Sequence, residues 1–106
     1  MEQRGVKLDN SKPLLYVILK QFPNALSLVA KCSEYGHNKY KETDVDWQNW
    51  SRLDDGEFRY SNALMRHLSE DNNDKESGLP HAAHVAWNAL ARLEKIIQNK
   101  KCQNKN

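Results

Sequence analysis

The sequence predicts an all-α fold, a small single-domain bundle of three to four helices with two ordered polar loops. Three observations predict it. Apolar residues recur at helical spacing along two long segments, and a proline opens each of them. No stretch alternates apolar and polar residues as a half-buried strand does. The length of 106 residues suits one domain, and a chain of that size buries roughly two-thirds of its unfolded surface in one modest core.

The expected division is a flexible polar segment over 1–12, a helical domain over 13–98 and a basic flexible tail over 99–106. Pro13 precedes Leu14-Leu15-Tyr16-Val17-Ile18-Leu19, a run that is apolar on every side. Periodicity leaves it helix or strand, and the following Lys20-Gln21-Phe22-Pro23 favours a short helix that stops before the proline. Pro23 suits the first position of a second helix, to about Tyr40, with Ala25, Leu28, Val29, Cys32 and Gly36 as one buried stripe. Residues 41–56 surround Trp47 and Trp50 with turn formers, which predicts an ordered loop that covers the indoles. Asp54 or Asp55 is expected to cap a third helix from about Glu57 to Glu70, with Tyr60, Leu64 and Leu68 inward. A polar loop over 71–78 follows. Pro80 then starts the longest helix, to about Asn99, with Ala82, Ala86, Ala89, Leu90, Leu93 and Ile97 as its inward stripe.

Charge and hydropathy narrow the function classes. Sixteen Lys and Arg against 14 Asp and Glu leave a net charge of +2, with no footprint for duplex nucleic acid. No apolar run approaches the ~20 residues that span a bilayer, and the N-terminus lacks the apolar core of a secretion signal. The expected location is therefore cytoplasmic, with no membrane partner. Cys32 and Cys102 stand far apart and form neither a CxxC pair nor a disulfide framework, which fits a reducing compartment. P-loop, GxGxxG and nucleophile-elbow patterns are absent.

Two places hold unusual chemistry. In Ser33-Glu34-Tyr35-Gly36-His37-Asn38-Lys39-Tyr40, Gly36 interrupts the buried stripe, where glycine costs about 1 kcal/mol relative to alanine. Glu34, His37 and Asn38 fall on the opposite face, as on a solvated helix surface. The second place runs from Arg66-His67 to His81-x-x-His84-x-x-x-Asn88. At about 100° per residue, His81, His84 and Asn88 share an arc of roughly 60° on a face away from the Ala/Leu stripe. The preceding loop brings Asp71, Asp74 and Glu76 to the same helix start, and Arg59 shares a stripe with Arg66. Carboxylates with imidazoles suit a divalent cation, and Lys39, Arg59 and Arg66 suit phosphate oxygens around it. The spacing is not HExxH, so a zinc-protease reading fails.

These residues carry a resemblance. Lys12-Pro13, Leu19-Lys20-Gln21-Phe22-Pro23-x-Ala25-Leu26, Glu34-x-Gly36-x-x-Lys39-Tyr40 and Asn49-Trp50 come first. Arg59-Tyr60-x-x-Ala63-Leu64-x-Arg66-His67 and Glu76-Ser77-Gly78-Leu79-Pro80-His81-x-x-His84-x-Ala86-x-Asn88-Ala89 follow. Together, over about residues 7–98, they resemble the phage and prophage dATP/dGTP diphosphohydrolase domain, the MazZ-like group, similar in chemistry to all-α MazG-type pyrophosphohydrolases.

The resemblance implies metal-dependent hydrolysis of dGTP or dATP to the monophosphate and pyrophosphate, in phage nucleotide metabolism within the host cytoplasm. It implies a metal near Glu34, Asp74, Glu76, His81 and His84, with Mg²⁺ first and Mn²⁺, Co²⁺ or Zn²⁺ as alternatives. Catalytic roles would fall to His67, Glu76 and Lys39. The deoxypurine nucleotide would be held by Lys39, Tyr40, Trp50, Arg59, Arg66 and Asn88, with Tyr40 or Trp50 stacked on the base. The MazG-type pattern of ExxE with a later ExxD is not kept: Glu34 is followed at three residues by His37, and Glu70 by Asn73. A different reading of the same pocket is a non-catalytic phage nucleotide sponge that blunts host defence. The all-round apolar Leu14–Leu19 run suggests a homo-oligomer.

Overall fold

A computed structural model describes residues 5–6 and 11–104. Helix α1 spans Leu15–Gln21, α2 Pro23–Lys39, α3 Gly56–Leu68 and α4 His81–Asn104, with a single 3₁₀ turn at Asn49–Arg52. The described residues hold no strand, and one isolated bridge pairs Asn73 with Pro80. The fold is the expected all-α bundle. Most of the 1–12 segment lies outside the described residues, whereas α4 continues to Asn104, five residues beyond its expected end.

Local chemistry places the helix ends. Pro23 stands at the first position of α2, where its missing N–H would have had no helical partner. Asp55 occupies the cap position of α3, but its carboxylate makes no cap bond and instead accepts from Arg59 Nε at 3.2 Å. Helix α4 is the central element, packed chiefly on α3 and then on α2. Its inner seam differs from the expected one. Ala83, His84, Asn88, Ala91 and Lys95 are buried, while Ala82, Ala86, Ala89, Leu90, Leu93 and Ile97 are exposed. Positions 84, 88, 91 and 95 keep a four-three-four spacing, so α4 turns a continuous but largely polar seam toward its neighbours. Leu68 on α3 is exposed as well, whereas Tyr60 is buried as expected.

Polar anchors and aromatics complete the core. Lys95 Nζ donates to the Ser51 carbonyl at 2.9 Å and ties the 3₁₀ turn to α4. A Cβ at Gly56 would lie 2.9 Å from Lys95 Cε, so any larger residue there would have to displace the lysine stem. Trp50, Tyr60 and Trp87 form an aromatic cluster in which Trp87 meets both others edge-to-face, with Tyr60 and Trp87 centroids 5.6 Å apart at 78°. The Tyr60 hydroxyl donates to the Trp50 carbonyl at 2.7 Å, and burial pushes its pKa up to about 12. Trp87 Nε1 donates to Ser33 Oγ at 2.7 Å and so joins α4 to α2.

Candidate functional site

The loop between α3 and α4 is folded back tightly on itself. Asp74 N donates to the Leu79 carbonyl at 2.8 Å, Gly78 N to the Asp74 carbonyl at 2.7 Å and His81 N to the Asn72 carbonyl at 3.1 Å. Gly78 takes a positive φ of 76°, which a glycine adopts without strain, and Asn72 one of 67°. The result sets Asp74 beside the first turn of α4. There Asp74, His67 from α3 and His81 offer ligand atoms that all lie within 4.8 Å of one another.

The His67 and His81 Nδ1 atoms approach to 2.8 Å. Two imidazole nitrogens that close must share one proton, or both turn lone pairs toward a cation that replaces it. His84 stacks on His67, with centroids 4.6 Å apart and planes at 15°. Its Nε2 meets Ser77 Oγ at 2.7 Å, and Ser77 gives its single hydroxyl proton to Asp74 Oδ2 at 2.8 Å. Ser77 therefore accepts from His84, which fixes the His84 proton on Nε2. A second donor, Ser77 N, reaches the same Asp74 oxygen at 3.0 Å. His84 and Ser77 thus orient the carboxylate that completes the three-residue cluster.

Charges follow from these contacts. Burial raises the Asp74 carboxyl, but the two Ser77 donors, His84 and His67 outweigh it and hold Asp74 below the usual carboxylate range. Burial pushes the His67 imidazolium down, joined by His84, His81 and Arg66, against a smaller pull upward from Asp74. Burial also lowers His84; Asp74 opposes it, and His81 and Lys39 add to it. Both imidazoles are therefore neutral at pH 7, the form that ligates metal.

An unfolded histidine binds its proton near 6.5, above the lowered folded values of His67 and His84, so between those values the unfolded chain carries more protons. Their stabilising contribution is full above pH 6.5 and is lost as pH falls through the folded values. Thermal melts should show Tm falling from pH 7.5 to 5, and Mn²⁺ should raise Tm at pH 7.5 far more than at pH 5. A Tm that climbs on acidification over this range would contradict the assignment.

A cavity of about 340 Å³ surrounds the cluster and is lined also by Cys32, Tyr35, Lys39, Arg66, Glu70, Glu76 and Asn88. Lys39 Nζ pairs with Glu76 at 3.0 Å and lies 4.6 Å from the Tyr35 ring centroid. The Tyr35 hydroxyl and Lys39 hold Glu76 below its ordinary value. Asn88 is buried and donates to the His84 carbonyl at 2.8 Å. The structure thus gathers His67, Asp74, Glu76, His81, His84, Lys39, Arg66 and Asn88 at one cavity. Glu34 is exposed on the outer face of α2 and does not line this cavity, and Arg59 is held by Asp55 away from the site.

Tyr40 and Trp50 line a second cavity, of about 540 Å³. His37, read from sequence as solvated, is turned inward here. Its Nδ1 donates to Asp44 at 3.0 Å, and its ring stacks on Trp47 at 3.7 Å and 6°. Trp47 has a positive φ of 61°, rare for a bulky residue. Burial pulls the Asp44 carboxyl up, but His37 and the Asn49 amide, at 2.8 Å, hold it below the ordinary carboxylate range. Sequence reasoning missed Tyr35, Ser77 and the His37–Asp44 pair. Only Ser77, three residues after Asp74, had a local signal.

The pattern that defines the family described as dATP/dGTP diphosphohydrolase, N-terminal, matches residues 2–105. No curated protein and no solved structure matches the chain. No helix among the described residues is long and apolar enough to cross a membrane.

Proposed function

The chain belongs to the dATP/dGTP diphosphohydrolase N-terminal family, and on that premise we propose that it hydrolyses a deoxypurine nucleoside triphosphate between the α- and β-phosphates. The products are the nucleoside monophosphate and pyrophosphate. The observation that carries this reading is the convergence of His67, Asp74 and His81, with ligand atoms within 4.8 Å of one another, in a cavity lined by Lys39 and Arg66.

The donor set fits a divalent cation. Two imidazoles and one oriented carboxylate suit Mn²⁺, Co²⁺ or Zn²⁺ better than Mg²⁺, which prefers oxygen alone. When bound, such a cation polarises a phosphoryl group and lowers the pKa of a water. Arg66 and Lys39 neutralise the phosphate oxygens. Lys39 is paired to Glu76 before substrate arrives. Incoming phosphates compete for that ammonium, and Glu76, released from it, rises toward the range in which a carboxylate accepts the proton of the attacking water. Asn88 and Ser77 keep α4 and Asp74 in register.

The test is hydrolysis in ¹⁸O-enriched water. Attack at the α-phosphorus places the label in the monophosphate. Label in pyrophosphate, or release of orthophosphate, would overturn the cleavage position.

The active unit is proposed to be a homo-oligomer. Leu14, Leu15, Tyr16, Ile18, Leu19 and Phe22 are all more than half exposed, and Leu90 and Leu93 of α4 are too. Light scattering should give a multiple of 12.3 kDa at micromolar concentration; a monomer would refute this part of the reading.

A further inference from the structure

All three tryptophans of the chain, Trp47, Trp50 and Trp87, line the larger cavity, which carries no residue of the His67–Asp74–His81 cluster. This cavity and the smaller one meet along the α2–α4 seam and share Gly36, Lys39 and Trp87. Trp87 is fixed there by its bond to Ser33. Gly36 faces the same boundary from α2, one turn beyond Ser33.

The glycine has no structural cause. Its backbone is helical with no positive φ, and a Cβ built on it would meet nothing within 4 Å. Glycine inside a helix is less stable than alanine, so the chain carries this cost without a packing gain. The space that a side chain would fill lies at the junction of an aromatic cavity and a cationic, metal-ligating one. A flat heteroaromatic base suits the first and a polyphosphate the second.

We propose that the two cavities are halves of one nucleotide site and that Gly36 is the opening between them. The purine occupies the aromatic half, the phosphates reach the His67–Asp74–His81 half, and the sugar passes the bare backbone at Gly36. In the aromatic half, His37 presents Nε2 as the free polar atom of its ring, because Nδ1 is committed to Asp44. This inference rests on the hydrolase reading and adds to it a residue that controls access.

The experiment compares wild type, Gly36→Ala and Gly36→Leu. Binding of the α,β-methylene analogue of dGTP is followed by tryptophan fluorescence, and binding of inorganic pyrophosphate with Mn²⁺ by calorimetry. Both variants should melt at or above the wild-type temperature. The analogue should bind about tenfold more weakly to Gly36→Leu and by a smaller factor to Gly36→Ala, as expected for overpacking. Pyrophosphate should bind each alike. Equal analogue affinity in Gly36→Leu, or equal loss of pyrophosphate, overturns the inference while leaving the hydrolase reading intact. A wild-type chain that neither binds the analogue nor hydrolyses dGTP overturns both.

Discussion

Asp74→Asn is expected to lower kcat/KM for a deoxypurine triphosphate by about three orders of magnitude, the effect of losing about 4 kcal/mol of charge stabilisation. The amide keeps the shape of the carboxylate, and its oxygen still accepts from Ser77, so the loop over 71–80 should hold its form. What disappears is the one anionic donor of the three-residue cluster. Thermal stability should change little, and Mn²⁺ should no longer raise the melting temperature. Ser77→Ala is the graded companion. It leaves the charge and the Ser77 N–H bond to Asp74 in place but removes the hydroxyl that links Asp74 to His84, and a loss of about 10- to 100-fold is expected. Steady-state kinetics on the two variants checks both. An Asp74→Asn enzyme within threefold of wild type would remove the cation from the cluster.

Trp87→Ala should give the largest loss of stability. The indole packs edge-to-face on Tyr60 and Trp50 and donates to Ser33, so one truncation opens the aromatic core and unties α4 from α2. Removing a large aromatic from such a place costs about 3–5 kcal/mol, out of a total that is usually about 5–15. For a chain of this length, Tm should fall by roughly 15–25 °C. Trp87→Phe keeps the ring contacts but loses the N–H, and should cost about 1 kcal/mol. Circular dichroism melts separate the two. A Trp87→Ala chain less than about 1 kcal/mol below wild type would show that the α2–α4 seam does not depend on the indole.

Most helix boundaries were legible in the sequence because local residues set them, but the end of α4, five residues past its expected place, was not. Pro23 and Pro80 mark the starts of α2 and α4, and the polar loop after α3 marks its end. The inner face of α4 was not legible. The most apolar stripe, Ala82 through Ile97, faces outward, and the seam that packs within the chain carries His84, Asn88 and Lys95. Apolar periodicity finds the face that avoids water, yet it does not say whether the same chain covers that face.

Site residues divide along the same line. Asp74 and His81 lie near each other in sequence, and their pairing could be read from the loop into α4. The meeting of His67 and His81 depends on how α3 crosses α4, which no short motif records. His37 looked solvated because its partner, Asp44, is brought back by a turn in which Asp44 N donates to the Tyr40 carbonyl. Arg59 shares a helix face with Arg66 but is captured by Asp55 one turn earlier. Gly36 stood out by residue type alone. Its place between two cavities needed the α2–α4 packing.

The most direct measurement is chromatographic product analysis of each dNTP and NTP incubated with the purified chain, in Mn²⁺, Co²⁺, Mg²⁺ or EDTA. The account predicts monophosphate and pyrophosphate from dGTP or dATP, with Mn²⁺ or Co²⁺ more effective than Mg²⁺, and no turnover in EDTA or with His81→Ala. Intact triphosphate retained by the protein under every metal condition would contradict hydrolysis and leave a site that binds a nucleotide without cutting it.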